Sequence, residues 1–213
     1  MLFWILFVLF WLPIKICYPV KKIGKNNLPK KKGYVLTCNH YSNLDCVMLD
    51  VNLNKKIRFL AKKELFENKF FGWILRKFGA FPVNREKPEV SSFKFALNTL
   101  KNKKILGIFP EGTRNKNLED NSLQEVKTGA IIFAAKGDAP IVPVVLYKRS
   151  KIFRKNYLLI GEPIEIEAVD KRRMTHEEIE ANAKRLVDAM NKLRTDMDEK
   201  IQAKKEKKNA RKK

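Results

Sequence analysis

The chain opens on twelve consecutive apolar residues, Met1 to Leu12, followed by Pro13. A helix of that length is about 18 Å long at 1.5 Å per residue, short of the ~30 Å hydrocarbon core of a bilayer. Extended to Val20 the stretch admits only Lys15, so a full span with Lys15 snorkelling to the interface is the alternative. Residues 1–20 are expected to anchor the chain to a membrane, embedded or spanning. No basic region precedes the run and no small-residue cleavage site follows it, which argues against a signal peptide. Residues 21–33 carry six lysines with Gly24 and Pro29, and read as a basic linker beside an anionic bilayer surface.

From residue 34 onward short apolar runs alternate with segments of helical period. Tyr34–Cys38, Ile57–Ala61, Ile105–Phe109 and Ile141–Tyr147 are strand candidates, the last nearly all apolar, as a strand buried on both faces would be. Gly79–Arg85 turns back into a short extended segment. Helices are expected from Asp45, where Ser42 and Asp45 have the spacing of a capping box, and from Lys62 toward Lys77 with an aromatic face. A third begins at Pro88, with Val90, Phe93, Leu97 and Leu100 spaced three, four and three, and a fourth runs from Val126 to Lys136. Ile164–Glu167 alternates apolar and charged residues and reads as an edge strand. Thr175 and Glu178 form a second capping box, opening a long amphipathic helix whose stripe is Ile179, Ala183, Leu186, Met190, Leu193, Met197 and Ile201. This alternation predicts one α/β domain over residues 34–202, a largely parallel central sheet flanked by helices. Residues 203–213 are expected to be a disordered basic tail.

Composition adds a partner class. Forty-five Lys and Arg against 23 Asp and Glu give a net charge of +22, which calls for a polyanion: anionic lipid, an acidic protein or nucleic acid. The lysines gather at the two ends and no recognition motif accompanies them, which argues against nucleic acid. Cys17, Cys38 and Cys46 show neither a disulfide framework nor metal-site spacing, and a reducing, cytosolic setting fits them. Cys38, ending an apolar strand, reads as core rather than nucleophile.

Two places carry candidate chemistry. His40 is the only histidine in the first 175 residues and Asp45 follows it by five; His176 falls in a solvated helical turn. On one continuous helix residues five apart do not touch, so His40 belongs in the loop and Asp45 in the first helical turn. There the carboxylate can hold one ring nitrogen and leave the other to take a proton, or serve as the helix cap on Ser42, or both. The second place is Phe109-Pro-Glu-Gly-Thr-Arg114, which sets an acid, a glycine, a hydroxyl and an arginine on one turn after a strand. Arg114 suits a phosphate and Glu111 a hydroxyl.

These blocks resemble those of the lysophospholipid acyltransferases, in particular the bacterial branch that acts on 1-acylglycerol-3-phosphate. Asn39-His40 with Asp45 is similar to the family's His-x4-Asp motif, Gly79–Arg85 to its second block, Phe109–Arg114 to its third and Val142-Pro143-Val144 to its fourth. Pro82 and Val83 depart from the usual second block. The resemblance implies His40 as general base with Asp45 as its partner, and a glycerophosphate held by Arg85, Glu111, Gly112 and Arg114, with Thr113 on the same turn. It implies a further phosphate contact from Lys62, or the adjacent Lys63, and Lys127-Thr-Gly129 resembles the Lys-x-Gly after the third block. The implied reaction passes an acyl group from acyl-CoA or acyl carrier protein to the sn-2 hydroxyl of lysophosphatidic acid, giving phosphatidic acid at the cytoplasmic face of a membrane. It needs no metal and no cofactor. Glycerol-3-phosphate or another lysolipid is the alternative acceptor; a basic nucleic-acid-binding protein is the reading from another class, and a lipid-surface scaffold without activity would have lost His40 or Asp45.

Overall fold

Strands Val20–Ile23 (β1), Tyr34–Cys38 (β2), Ile57–Lys62 (β3), Phe81–Val83 (β4), Ile105–Ile108 (β5), Ile141–Leu146 (β6) and Asn156–Ile160 (β7) join in one sheet, in the order β1-β7-β6-β2-β5-β3-β4. The computed structural model describes residues 13–84, 90–115 and 126–210. Strands β2 to β6 run parallel; β7 is antiparallel to β6, and β1 runs parallel to β7 at the edge. Helices Asp45–Leu53 (α1), Lys69–Lys77 (α2), Val90–Lys101 (α3), Gly129–Lys136 (α4) and His176–Ala210 (α5) surround it. A single α/β domain with a mostly parallel sheet is what the alternating pattern required.

The two faces of the sheet are packed differently. On one, Val35, Leu106, Ile141 and Val145 lie under Ala96 of α3, Ala130, Ile131 and Ala134 of α4, and Leu186 and Met190 of α5. Alanine on α4 lets that helix approach the strands closely, and the expected stripe of α5 is the one that packs. On the other face Leu36, Cys38, Phe59, Val142, Val144 and Leu146 meet Leu49 and Leu53 of α1. The capping box of α5 forms as its spacing requires: Thr175 N–H donates to Glu178 Oε2 (2.9 Å) and Glu178 N–H to Thr175 Oγ1 (3.2 Å).

Several elements differ from the sequence reading. The boundary between the expected anchor (1–20) and basic linker (21–33) falls inside β1, which pairs with β7; there Lys22 turns inward and its Nζ donates to Asn52 O at the end of α1 (2.7 Å). Burial, with Lys25 and Lys15 nearby, lowers the pKa of that ammonium. The helix expected from Lys62 to Lys77 is broken: Lys63–Phe66 is a 3-10 turn, and Asn68 Oδ1 then accepts from Phe71 N to start α2 anew. In α3 the buried positions are Ser92, Ala96, Thr99 and Leu100, while Val90 is exposed, since small residues face the sheet. Ile164 makes a single bridge to Ile141 in place of an edge strand. The tail expected to be disordered continues α5 to Ala210. Most of the anchor expected at 1–20 lies outside the described residues; residues 13–17 are helical, and among the described residues no helix is long and apolar enough to cross a membrane.

Candidate active site

The parallel strands β2, β5 and β3 end side by side, and their C-terminal ends carry the candidate chemistry, where open parallel sheets place their ligands. His40 stands two residues past β2. Its ring lies flat on Phe109, the residue after β5, with centroids 4.0 Å apart and planes at 16°, and Phe109 in turn stacks on Phe59 of β3 at 5.5 Å. Three strands thus contribute to one aromatic stack that fixes the imidazole plane.

Asp45, buried at 1% exposure in the first turn of α1, receives three hydrogen bonds on Oδ2: from His40 Nδ1 (3.0 Å), Tyr41 N–H (2.6 Å) and Ser42 N–H (2.7 Å). One oxygen holds the imidazole and the loop amides of Tyr41 and Ser42, while the helix itself starts after Leu44 without a side-chain cap, so the bond to Ser42 forms but the capping box does not. The His40 backbone is also gripped, its N–H by Glu111 Oε1 (3.1 Å) and its C=O by Asn115 N–H (2.7 Å). Glu111, buried after β5, therefore locks the third block onto the first. Asn39 closes the other side by pairing with the Leu146 backbone of β6 in both directions, at 2.9 and 2.8 Å. Cys38 is fully buried; burial first, then the charges of Asp45 and Glu111, push its thiol well above its ordinary pKa, so it stays protonated core.

The turn after Phe109 is tight. Gly112 has φ +70, and a Cβ there would come within 2.8 Å of the Lys127 side chain, whose stem lies across the turn. Beside His40 a cavity of about 370 Å³ opens between α1, α2 and β3, lined by apolar residues including Val47, Leu60, Phe71 and Ile74, with Ile14 at one side. Lys62, at the end of β3, lines it too and pairs with Glu64 at 3.0 Å. Asp50 sits in its wall, nearly sealed from water: burial pushes its carboxyl well above the usual carboxylate range, opposed by the Ile57 N–H on Oδ1 (2.9 Å) and by Lys56. Among the described residues no three His, Cys, Asp or Glu side chains gather as a metal site needs.

The family model described as Acyltransferase matches residues 19–147. Over 151 residues the sequence is 44% identical to the 1-acyl-sn-glycerol-3-phosphate acyltransferase of Bacillus subtilis strain 168, covering 68% of this chain and 73% of that protein. The chain belongs to the acyltransferase family. A Streptococcus pneumoniae protein, likewise named 1-acyl-sn-glycerol-3-phosphate acyltransferase, is 36% identical over 162 residues, covering 73% of this chain and 58% of that one. The fold of this acyltransferase is shared with the 1-acyl-sn-glycerophosphate (LPA) acyltransferase PlsC of Thermotoga maritima, at a TM-score of 0.63, 23% identity and coverage of 82% and 70%.

Of the residues singled out in the sequence of this acyltransferase, His40 and Lys62 line the cavity, Asp45 and Glu111 hold His40, and Gly112 follows Glu111 on the turn after Phe109. Thr113 and Arg114 are exposed on the turn beside it, and Arg85 lies outside the described residues. The roles of three contributors went unread. Phe109 carries the imidazole, a role hidden by its place at the end of an apolar strand. Asn39 was named in the first block beside His40, but nothing in the sequence showed its hold on the β6 backbone. Arg194 of α5, whose Nη2 donates to Tyr41 Oη (3.2 Å), carries no signal in the sequence.

Proposed function

We propose that this enzyme is an O-acyltransferase that moves an acyl group from an acyl thioester to the sn-2 hydroxyl of 1-acylglycerol-3-phosphate, forming phosphatidic acid. The observation that carries the reading is an Asp45-held imidazole on the wall of an apolar cavity that Lys62 also lines. His40 Nδ1 is engaged by Asp45, so Nε2 takes the hydroxyl proton as the oxygen attacks the thioester carbonyl. The C–S bond then breaks, and the leaving thiolate recovers that proton from the imidazolium, which Asp45 stabilises meanwhile. The cavity takes an acyl chain, and Arg114, Lys62 and Lys127, joined by Arg85, meet the phosphate so that the hydroxyl reaches His40. The donor is acyl-CoA or acyl carrier protein. Residues 1–20 hold the enzyme at the cytoplasmic face of a membrane, where both lipid substrate and product reside.

Acyl transfer to lysophosphatidic acid, with each donor in turn, tests the reading on purified protein. His40→Ala should lower kcat by on the order of 10²–10⁴-fold with the thermal midpoint retained. Turnover within a few-fold of wild type would overturn it.

A further inference from the structure

The connection between β6 and β7 is not used by the chemistry above. From Lys148 to Lys155 it carries Lys148, Arg149, Lys151, Arg154 and Lys155, no acid, and at its apex Ile152 and Phe153. All seven side chains are exposed, Ile152 to 57% and Phe153 to 72%. A bulky pair held out in water between five cations needs a reason, since isolated exposed apolar residues are ordinary but such a combination is the composition of a membrane interface.

The tip is built, not loose. Asn156, buried beneath it, donates from Nδ2 to Lys148 O (2.6 Å) and Ser150 Oγ (3.1 Å) and accepts from Lys148 N–H (3.2 Å). Arg154 N–H closes the turn on Lys151 O (3.1 Å). Phe153 holds φ +56, a left-handed conformation that a large side chain rarely adopts, and its N–H donates to Cys17 O (2.6 Å). Strain of this kind persists where surrounding bonds fix it, and here they fix Phe153 outward, next to the helical turn at 13–17 where Ile16 is also exposed. The position matters as much. Because β7 runs antiparallel to β6, the tip lies at the same end of the sheet as His40, two residues from the Leu146 backbone that Asn39 clamps.

We infer that the Lys148–Lys155 tip is a docking foot for an anionic bilayer, seating the cavity mouth against the leaflet from which the lipid acceptor comes. The tip's cations meet lipid phosphates while Ile152 and Phe153 enter the headgroup boundary. An acidic protein donor would satisfy the cations but leaves the apolar apex, and its neighbour Ile16, without a role. The inference rests on the acyl-transfer reading for its purpose, though the surface stands on its own geometry.

The test uses the full chain and two variants: Arg149→Ala/Lys151→Ala/Arg154→Ala, and Ile152→Ser/Phe153→Asn, where Asn accepts the left-handed backbone. Vesicles of phosphatidylcholine, with or without phosphatidylglycerol, are titrated at concentrations where wild type is half bound. The charge variant should bind anionic vesicles on the order of a hundredfold more weakly and neutral ones unchanged. The apolar variant should lose on the order of tenfold on both. Both should turn over a short-chain, monomeric lysolipid at the wild-type rate and a vesicle-borne one more slowly. Binding within twofold of wild type overturns the inference, as does an equal loss of turnover on both lysolipid forms. So does a loss confined to acyl carrier protein as donor, which would assign the tip to that partner. If wild type acylates neither lysolipid, the acyl-transfer reading falls, while the vesicle titration still decides the foot.

Discussion

Asp45 concentrates three hydrogen bonds on one carboxylate oxygen, so its charge serves the loop and the imidazole together. Asp45→Asn keeps the size but offers a neutral oxygen, and an amide turned toward His40 would leave the ring without its acceptor. We expect kcat to fall by on the order of 10²-fold or more, with a stability loss of about 1–2 kcal/mol, read from turnover and urea unfolding. A loss of stability without loss of kcat would confine Asp45 to bracing the loop before the helix. Asp50 behaves differently, because its carboxyl is raised by burial rather than held by a partner charge. Above about pH 4 an unfolded chain gives up that proton while the folded one keeps it, so stability falls as pH rises toward the folded value. Asp50→Asn retains an oxygen for Ile57 N–H; its thermal midpoint should match wild type near about pH 4 and gain on it steadily toward about pH 8. At this scale His40 and Asp45 were legible because a spacing of five excludes a shared helix. Phe109 and Asp50 were not, since stacking and desolvation arise only when distant strands and helices meet.

Among the elements, strands with dense apolar runs were read and those carrying cations were missed. Val20–Ile23 contains two lysines in four residues and was divided between anchor and linker, and Asn156–Ile160, directly after the five cations of the tip, was assigned to no element. What makes β1 a strand is its partner: it pairs with β7, and the turn behind it is fitted to that strand's end. Gly24 has φ +80, a Cβ there would lie 2.0 Å from Ile160 O, and Asn27 Nδ2 donates to the same carbonyl (3.0 Å). Gly24→Ala should cost roughly 1–3 kcal/mol, or detach β1, and amide exchange across β7 tells the two apart. Unchanged exchange with unchanged stability would show that the turn yields easily. The capping box at Thr175–Glu178, a wholly local signal, was read and formed.

At the scale of the molecule, a net charge of +22 is a standing repulsion within the folded state. Raising NaCl from about 10 mM to about 150 mM shortens the Debye length from about 30 Å to about 8 Å and should lift the thermal midpoint by several degrees. A midpoint indifferent to salt would mean the cations are already neutralised by pairing. Composition calls for an anionic partner without saying where it would bind, because a charge count does not say which end of the sheet its lysines surround. The edge pairing of β1 with β7 has a consequence for how the chain is made. The ribosome delivers β1 first, yet its partner exists only after synthesis has passed Ile160. Throughout that interval β1 lacks the strand it pairs with, so that edge of the sheet stays open until β7 has been made. Pairing with β7 is then a late step, and it is the one that seats the Gly24 turn and Asn27 on the Ile160 carbonyl.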